Sequence, residues 1–147
     1  MIIITKASIN NLPDIYPLFD LYRIFYGQKS DIEAAKNFLN LRMESNESII
    51  FVAYLKNKPI GFTQLFKTFS SVSLESSLIL NDLYVDKSSR KKGAGKALLN
   101  KAKEYCIDKK YKGLALETHI DNPAQTLYEK LGWKKDSQCF HYFWSPK

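Results

Sequence analysis

The stretch "SRKKGAGKALL" sets Arg90, Lys91 and Lys92 directly before Gly93 and Gly95, and a helix-like pattern follows at once. A helix N-terminus carries unpaired backbone N–H groups and a partial positive charge. Glycines let an anion approach those groups, and the flanking cations, Lys96 included, add attraction from a distance. Residue types and spacing therefore describe an anion site, with phosphate the anion that such loops take. Two familiar phosphate loops do not fit. The nucleoside-triphosphate loop needs a glycine where Arg90 stands and a Ser or Thr where Ala97 stands. The dinucleotide fingerprint needs a third small residue where Leu98 stands. What remains is Arg-x-x-Gly-x-Gly between a strand and a helix. A plain glycine helix start with basic flanks is the alternative reading.

A second feature precedes the loop. The apolar run "LILNDLYV" carries Asn81 and Asp82 side by side. A carboxylate in a central strand is costly unless it is hydrogen-bonded or faces a wet cleft. Asp82 is therefore a candidate for chemistry, with a satisfied structural carboxylate as the alternative. Cys106 and Cys139 are too few for a disulfide framework or a zinc site. Cys106 falls in helical register with Ala94, Leu98 and Ala102, as a core thiol would. His119 and His141 stand singly, without a metal-ligand cluster, and no metal is expected.

The elements that must position these groups can be read from periodicity. "MIIITKAS" reads as a first strand. Ile15, Leu18, Phe19, Tyr22, Phe25 and Tyr26 recur at helical spacing, with Gly27 as a stop. Residues 31–45 form a second helix with Asp31 as N-cap. Residues 49–68 read as a hairpin around "KNKP", and 72–85 as a long strand. A helix over 93–110, a short strand "GLALET", a short helix "NPAQTLYEKLG" and a closing β segment "WKKDSQCFHYFW" complete the order. Strand, helix, strand after Val85 implies parallel pairing there. The chain is expected to be a single domain, residues 1–147, of α/β (α+β) class.

"LNDLYVDKSSRKKGAGKALL" and "LALETHIDNPAQTLYEKLGW" together resemble the two halves of the acetyl-coenzyme A signature of the GCN5-related N-acetyltransferase (GNAT) superfamily. The resemblance is close over residues 80–133. It implies a mixed, mostly antiparallel sheet of about six to seven strands, with parallel pairing at a splayed centre and about four flanking helices. It also implies roles. Backbone groups of Leu83, Tyr84 and Val85 would pair with the pantetheine arm, with the Leu83 N–H polarising the thioester carbonyl. Residues Arg90, Lys91, Lys92, Gly93, Ala94, Gly95 and Lys96 would hold the pyrophosphate. Asn122 would bond the pantetheine amides, and Ala124 and Leu127 would line the arm. Tyr128 would protonate the leaving thiolate. A tyrosine on an apolar helix face is otherwise a core residue, and that reading of Tyr128 stands beside the functional one. Trp133 occupies a position where the family more often has Phe.

The implied function is transfer of an acetyl group from acetyl-coenzyme A to a primary amine by direct attack, since neither cysteine has a nucleophile setting. Asp82, one residue before Leu83, would lie beside the acetyl group and could hold an ammonium or take its proton. Glu117 on the neighbouring strand competes for that role. Tyr22, Phe25 and Tyr26 would wall the acceptor site, which suits a small molecule such as an amino acid or polyamine better than a protein tail. Protein or peptide N-acetylation and a non-catalytic coenzyme A-binding module are the alternatives. A net charge of +7 would also suit nucleic acid, but no helix outside the loop region carries a basic stripe. No apolar run is long enough to span a bilayer and no signal peptide opens the chain, so a cytoplasmic protein without nucleic-acid or membrane partners is expected. The aromatic run "CFHYFW" could serve a homodimer contact.

Overall fold

Residues 1–146 are described by the computed structural model of the chain, in two units, Met1–Glu117 and a smaller one beginning at Thr118. In the larger unit the strands are β1 (Ile2–Lys6), β2 (Ser48–Leu55), β3 (Lys58–Ser70), β4 (Glu75–Val85) and β5 (Leu114–Ala115). They form one sheet in sequential order. The first four pair antiparallel, and β5 joins β4 in parallel. Helices α1 (Leu12–Phe25), α2 (Ile32–Glu44) and α3 (Ala94–Asp108) belong to this unit, and α4 (Ala124–Lys130) to the smaller one. The mixed sheet, its parallel pair and the four helices are as the sequence led us to expect.

The sheet is covered on both faces, which is why β2 is an unbroken apolar run rather than an alternating one. Ile50 and Val52 point to one side, where they pack with Leu12, Ile15, Leu18 and Phe19 of α1 and Ala35 and Leu39 of α2. Phe51 points to the other and meets Tyr105 of α3, ring centroids 5.7 Å apart. The α1–α2 turn is fixed by polar groups. Asp20, buried on α1, accepts from Ser30 Oγ at 2.6 Å and from the Asp31 N–H at 2.8 Å. Asp31 in turn caps α2, accepting from the Ala34 N–H at 3.0 Å, as its side chain predicts.

Two irregularities of β4 shape the space around it. Gln64 of β3 pairs with Asp82, but the next residue, Leu65, pairs with Leu80, so Asn81 is an extra residue bulged out of β4. On its other side β4 pairs with β5 only at Leu78↔Leu114 and Ile79↔Ala115. From Leu80 to Val85 the parallel ladder has ended, and that edge of β4 carries backbone N–H and C=O groups outside any ladder.

The strand count is five among the described residues rather than six or seven. "GLALET" contributes two residues of strand, and the expected closing β segment contains none. Phe140, Tyr142, Phe143 and Trp144 are instead 81–88% exposed. Aromatic β propensity reflects packing on a half-buried pleated surface, and without such a surface it does not make a strand.

Candidate active site

The loop after β4 is built to present an uncapped helix end. Lys91 and Gly93 both take left-handed backbone, φ +65° and +90°. Gly93 is the N-cap of α3, and no side chain bonds the first-turn N–H groups. A Cβ at Gly93 would meet nothing within 4 Å, so glycine is needed there for its backbone angle rather than for space. Lys91, Lys92 and Lys96 are exposed, and no carboxylate of the described residues pairs with them. Arg90 behaves differently. Its Nε donates to the Val85 carbonyl at 2.8 Å, and its guanidinium lies 5.6 Å from the Tyr84 ring centroid and 5.9 Å from that of Phe25. It fastens the loop back onto the end of β4.

Upstream on the same strand, a cavity of about 330 Å³ lies between α1–α2 and the sheet. Phe19, Tyr22 and Arg23 of α1 and Ala34, Ala35 and Phe38 of α2 form its helix wall, and Gln64, Phe66, Asn81 and Asp82 its sheet wall. Asp82 is 2% exposed. It accepts from Gln64 Nε2 at 2.5 Å and from Asn81 Nδ2 at 2.7 Å, and Tyr22 bonds it as well. Burial pushes the Asp82 carboxyl above the ordinary carboxylate range, and the three hydrogen bonds oppose part of that rise. The Tyr22 hydroxyl also reaches the Asn81 carbonyl at 3.3 Å. The bulge at Asn81 thus delivers two polar side chains and a carbonyl to one small, mostly apolar space.

The sequence-derived acceptor residues divide. Tyr22 and Asp82 are brought together. Phe25 and Tyr26 are 61% and 55% exposed and do not line the cavity; they pack edge to face on each other, 5.2 Å apart. Glu117 is exposed, two residues beyond β5. Besides Tyr22, Asn81 and Asp82, the lining residues Phe19, Arg23, Ala34, Ala35, Phe38, Gln64 and Phe66 had not been singled out as site residues. Gln64 was detectable as a polar residue inside the apolar strand "IGFTQLFKTF", directly opposite Asp82. Arg23 lies on the face of α1 that continues the Phe19 turn.

In the smaller unit, Tyr128 lies on α4, half-buried, its ring edge-on to Trp133 at 6.1 Å. Ala124 and Leu127 share that helix, both half-buried. Asn122 precedes it and uses Oδ1 to accept the Ala124 N–H at 2.9 Å, a turn that starts the helix. In the larger unit Cys106 is buried, which raises its thiol pKa, and Cys139 is exposed in the smaller unit. Among the described residues no cluster of three or more His, Cys, Asp or Glu could hold a metal, and no helix is long and apolar enough to cross a membrane.

Comparison with known proteins bears directly on this arrangement. The sequence profile of the Acetyltransferase (GNAT) family matches residues 13–133. The chain is 45% identical over 140 residues to the uncharacterized N-acetyltransferase YhfO of Bacillus subtilis (strain 168), covering 95% of this chain and 94% of that one. A crystal structure of a probable acetyltransferase superposes with a TM-score of 0.93 at 34% identity, over 99% of this chain and 98% of the other. An aminoglycoside acetyltransferase from an uncultured soil metagenomic sample shares the fold, with a TM-score of 0.83 at 22% identity, over 99% and 97% of the two chains. A glycine-started helix after a bulged strand, in a chain matched by this profile over most of its length, leads to one assignment: the protein belongs to the acetyltransferase (GNAT) family and is an acyltransferase.

Proposed function

We propose that the protein moves an acetyl group from acetyl-coenzyme A to the primary amine of a small molecule, of amino-acid or polyamine class, by direct attack. The observation that carries this reading is Asp82, a buried carboxylate in the wall of a small cavity, within the stretch of β4 that has left the β4–β5 ladder. A carboxylate so placed needs a cation, and a primary ammonium is one that becomes a nucleophile on losing a proton.

The donor's chemical needs match this chain's residues. An extended polar arm would pair along the β4 edge at Leu83, Tyr84 and Val85, which lies beyond the β4–β5 ladder, although the Val85 carbonyl already accepts from Arg90 Nε. A pyrophosphate requires several N–H donors and cations, which the loop from Lys91 to Lys96 supplies at an uncapped helix end. The donor brings a thioester carbonyl carbon; in the transfer the amine nitrogen bonds to that carbon, the C–S bond breaks, and the sulfur leaves as a thiol.

The chain's part is positioning and proton handling. Asp82 holds the ammonium and receives or relays to water the proton it must lose. Glu117 remains the competing carboxylate. The Leu83 N–H donates to the carbonyl oxygen as charge develops there. The Tyr128 phenol supplies the proton taken by sulfur. Asn122, Ala124 and Leu127 contact the arm. Holding both reactants in one site removes much of the entropic cost of their meeting, and no covalent enzyme intermediate is required.

The test is thiol release from acetyl-coenzyme A by the purified protein across amino acids, polyamines and peptides, with the acetylated amine identified by mass spectrometry. Amine-dependent release with a small-molecule product bears the reading out. Release with peptides alone would move the assignment to protein acetylation, and no release with any amine would remove it.

A further inference from the structure

The cavity beside Asp82 has two kinds of polar wall. The sheet side is lined by Gln64, Asn81 and Asp82, of which Asp82 carries a carboxylate. Gln64 is wholly buried, and only one orientation of its amide brings a donor to Asp82. That orientation leaves Oε1 without a partner. A buried acceptor without a donor is costly, and such groups in native proteins ordinarily have a partner. The helix side carries the opposite charge. Arg23 lines the same cavity from α1, donating from Nη1 to the Lys29 carbonyl at a long 3.4 Å. No carboxylate of the described residues pairs with it. The nearest acid along its own helix, Asp20, is committed to Ser30 and the Asp31 N–H. Between these walls the lining is aromatic and small: Phe19, Tyr22, Phe38 and Phe66 with Ala34 and Ala35.

We propose that the acceptor is a zwitterion of the amino-acid type with an apolar or aromatic body, its ammonium held by Asp82 and the Gln64 Oε1 and its anionic group by Arg23. This rests on the N-acetyltransferase reading above and narrows it. An ammonium has three donors, enough to satisfy both Asp82 and the orphaned Gln64 oxygen. A planar guanidinium is the side chain best matched to a carboxylate. The volume, about 330 Å³, is at the small end of the roughly 300–1,000 Å³ range of small-molecule sites, which suits one compact body. A polyamine or an aminoglycoside would bring further positive charge against Arg23 and leave the guanidinium unmatched. In the transfer itself the acceptor's ammonium loses two protons as its nitrogen gains the acetyl carbon. The thioester C–S bond breaks, one proton goes to Asp82 or water and the other is balanced by the proton the sulfur takes up, and the products are an N-acetyl amino acid and the free thiol.

The experiment compares kcat/KM for L-phenylalanine, L-methionine and L-leucine with that for their primary carboxamides, and for spermidine and kanamycin, by thiol release. The carboxamides keep the amine and the body and lose only the negative charge. Their amines also deprotonate more readily, so a preference for the acids cannot come from amine basicity. At least one acid should exceed its amide by about tenfold or more, the scale of a hydrogen bond to a charged group. In Arg23→Gln that ratio should fall toward one, through a raised KM for the acid. If acids and amides are equal, if spermidine or kanamycin is the best acceptor, or if Arg23→Gln retains the preference, the zwitterion assignment is wrong while N-acetyl transfer stands. If no amine releases thiol, both readings fall together.

Discussion

Gln64 and Asp82 are cross-strand partners whose side chains meet at 2.5 Å inside a core that leaves them 0% and 2% exposed. The amide donates to the carboxylate on one side and keeps its own oxygen bare on the other. In this orientation the amide donor suits the ionised carboxylate, and burial works against that ionisation.

The first prediction is a pH dependence of stability. Burial raises the folded-state pKa of Asp82. Between the ordinary carboxylate value, about 4, and the raised one, the folded protein holds a proton that the unfolded chain has released. The contribution of Asp82 to stability is thus fully present below that window and is lost as pH rises through it. Asp82→Asn should flatten this part of the profile in denaturant melts taken from acid to neutral pH. A profile that stays the same in the variant means Asp82 does not titrate this way. The same variant should lower kcat/KM for the amine by roughly 10²-fold, the scale of acid–base groups, with donor binding close to wild type.

Gly95→Glu tests the loop. Glutamate suits the first turn of a helix, so α3 should form. Its carboxylate would occupy the space and oppose the charge of a pyrophosphate. Coenzyme A affinity should collapse in a calorimetric titration while the circular dichroism spectrum is kept. Unchanged affinity would move the anion site away from residues 90–96.

Tyr128→Phe removes one hydroxyl and leaves the ring against Trp133. If the phenol protonates the leaving sulfur, kcat should fall by roughly 10²-fold or more, with little change in coenzyme binding. Wild-type kcat, measured where chemistry limits the rate, returns Tyr128 to a packing role.

Gly61→Ala probes the strand edge from behind. An added Cβ would stand 2.7 Å from the Tyr84 carbonyl oxygen and 3.2 Å from the Val85 Cα, so backbone must yield. Stability should drop by about 1–3 kcal/mol, as overpacking does. Because the displaced residues are those proposed to pair with the pantetheine arm, coenzyme A affinity should drop as well. A destabilised variant with full affinity would detach Tyr84 and Val85 from donor binding.

How much could be read from the sequence depends on the kind of signal each feature leaves. The helices and first four strands were legible because their apolar periods are long and their caps local, as with Asp31 and Gly93. The loop was legible because charge, glycine and helix start are adjacent in the chain. Asp82 stood out as a carboxylate in an apolar strand. Gln64 shows in the sequence only as a polar residue in an apolar strand; that it faces Asp82 is a matter of cross-strand register, which a single strand does not encode. Arg23 was missed because one arginine on a helix is usually solvated, and only the tertiary arrangement turns it toward a cavity. Phe25 and Tyr26 follow Tyr22 closely in sequence, but they are largely exposed and do not line the cavity, a difference that helical periodicity alone does not show. The closing strands failed because aromatic propensity was taken for pairing.

On the proposed reading of the cavity as the acceptor site, its division into a helix wall and a sheet wall would make acceptor choice separable from acetyl transfer. Phe19, Tyr22, Arg23, Ala34, Ala35 and Phe38 all fall within one continuous stretch, residues 12–44, whereas Gln64 and Asp82 belong to strands that are contiguous with the loop before α3. Exchange of that single stretch between relatives would therefore transplant a preference for one amine over another as a cassette. The cassette would have to carry Asp20 together with Ser30 and Asp31, because their hydrogen bonds tie the turn between the two helices. A lineage could diversify its substrates in this way by recombination at the two ends of a helical hairpin, leaving β3 and β4 untouched.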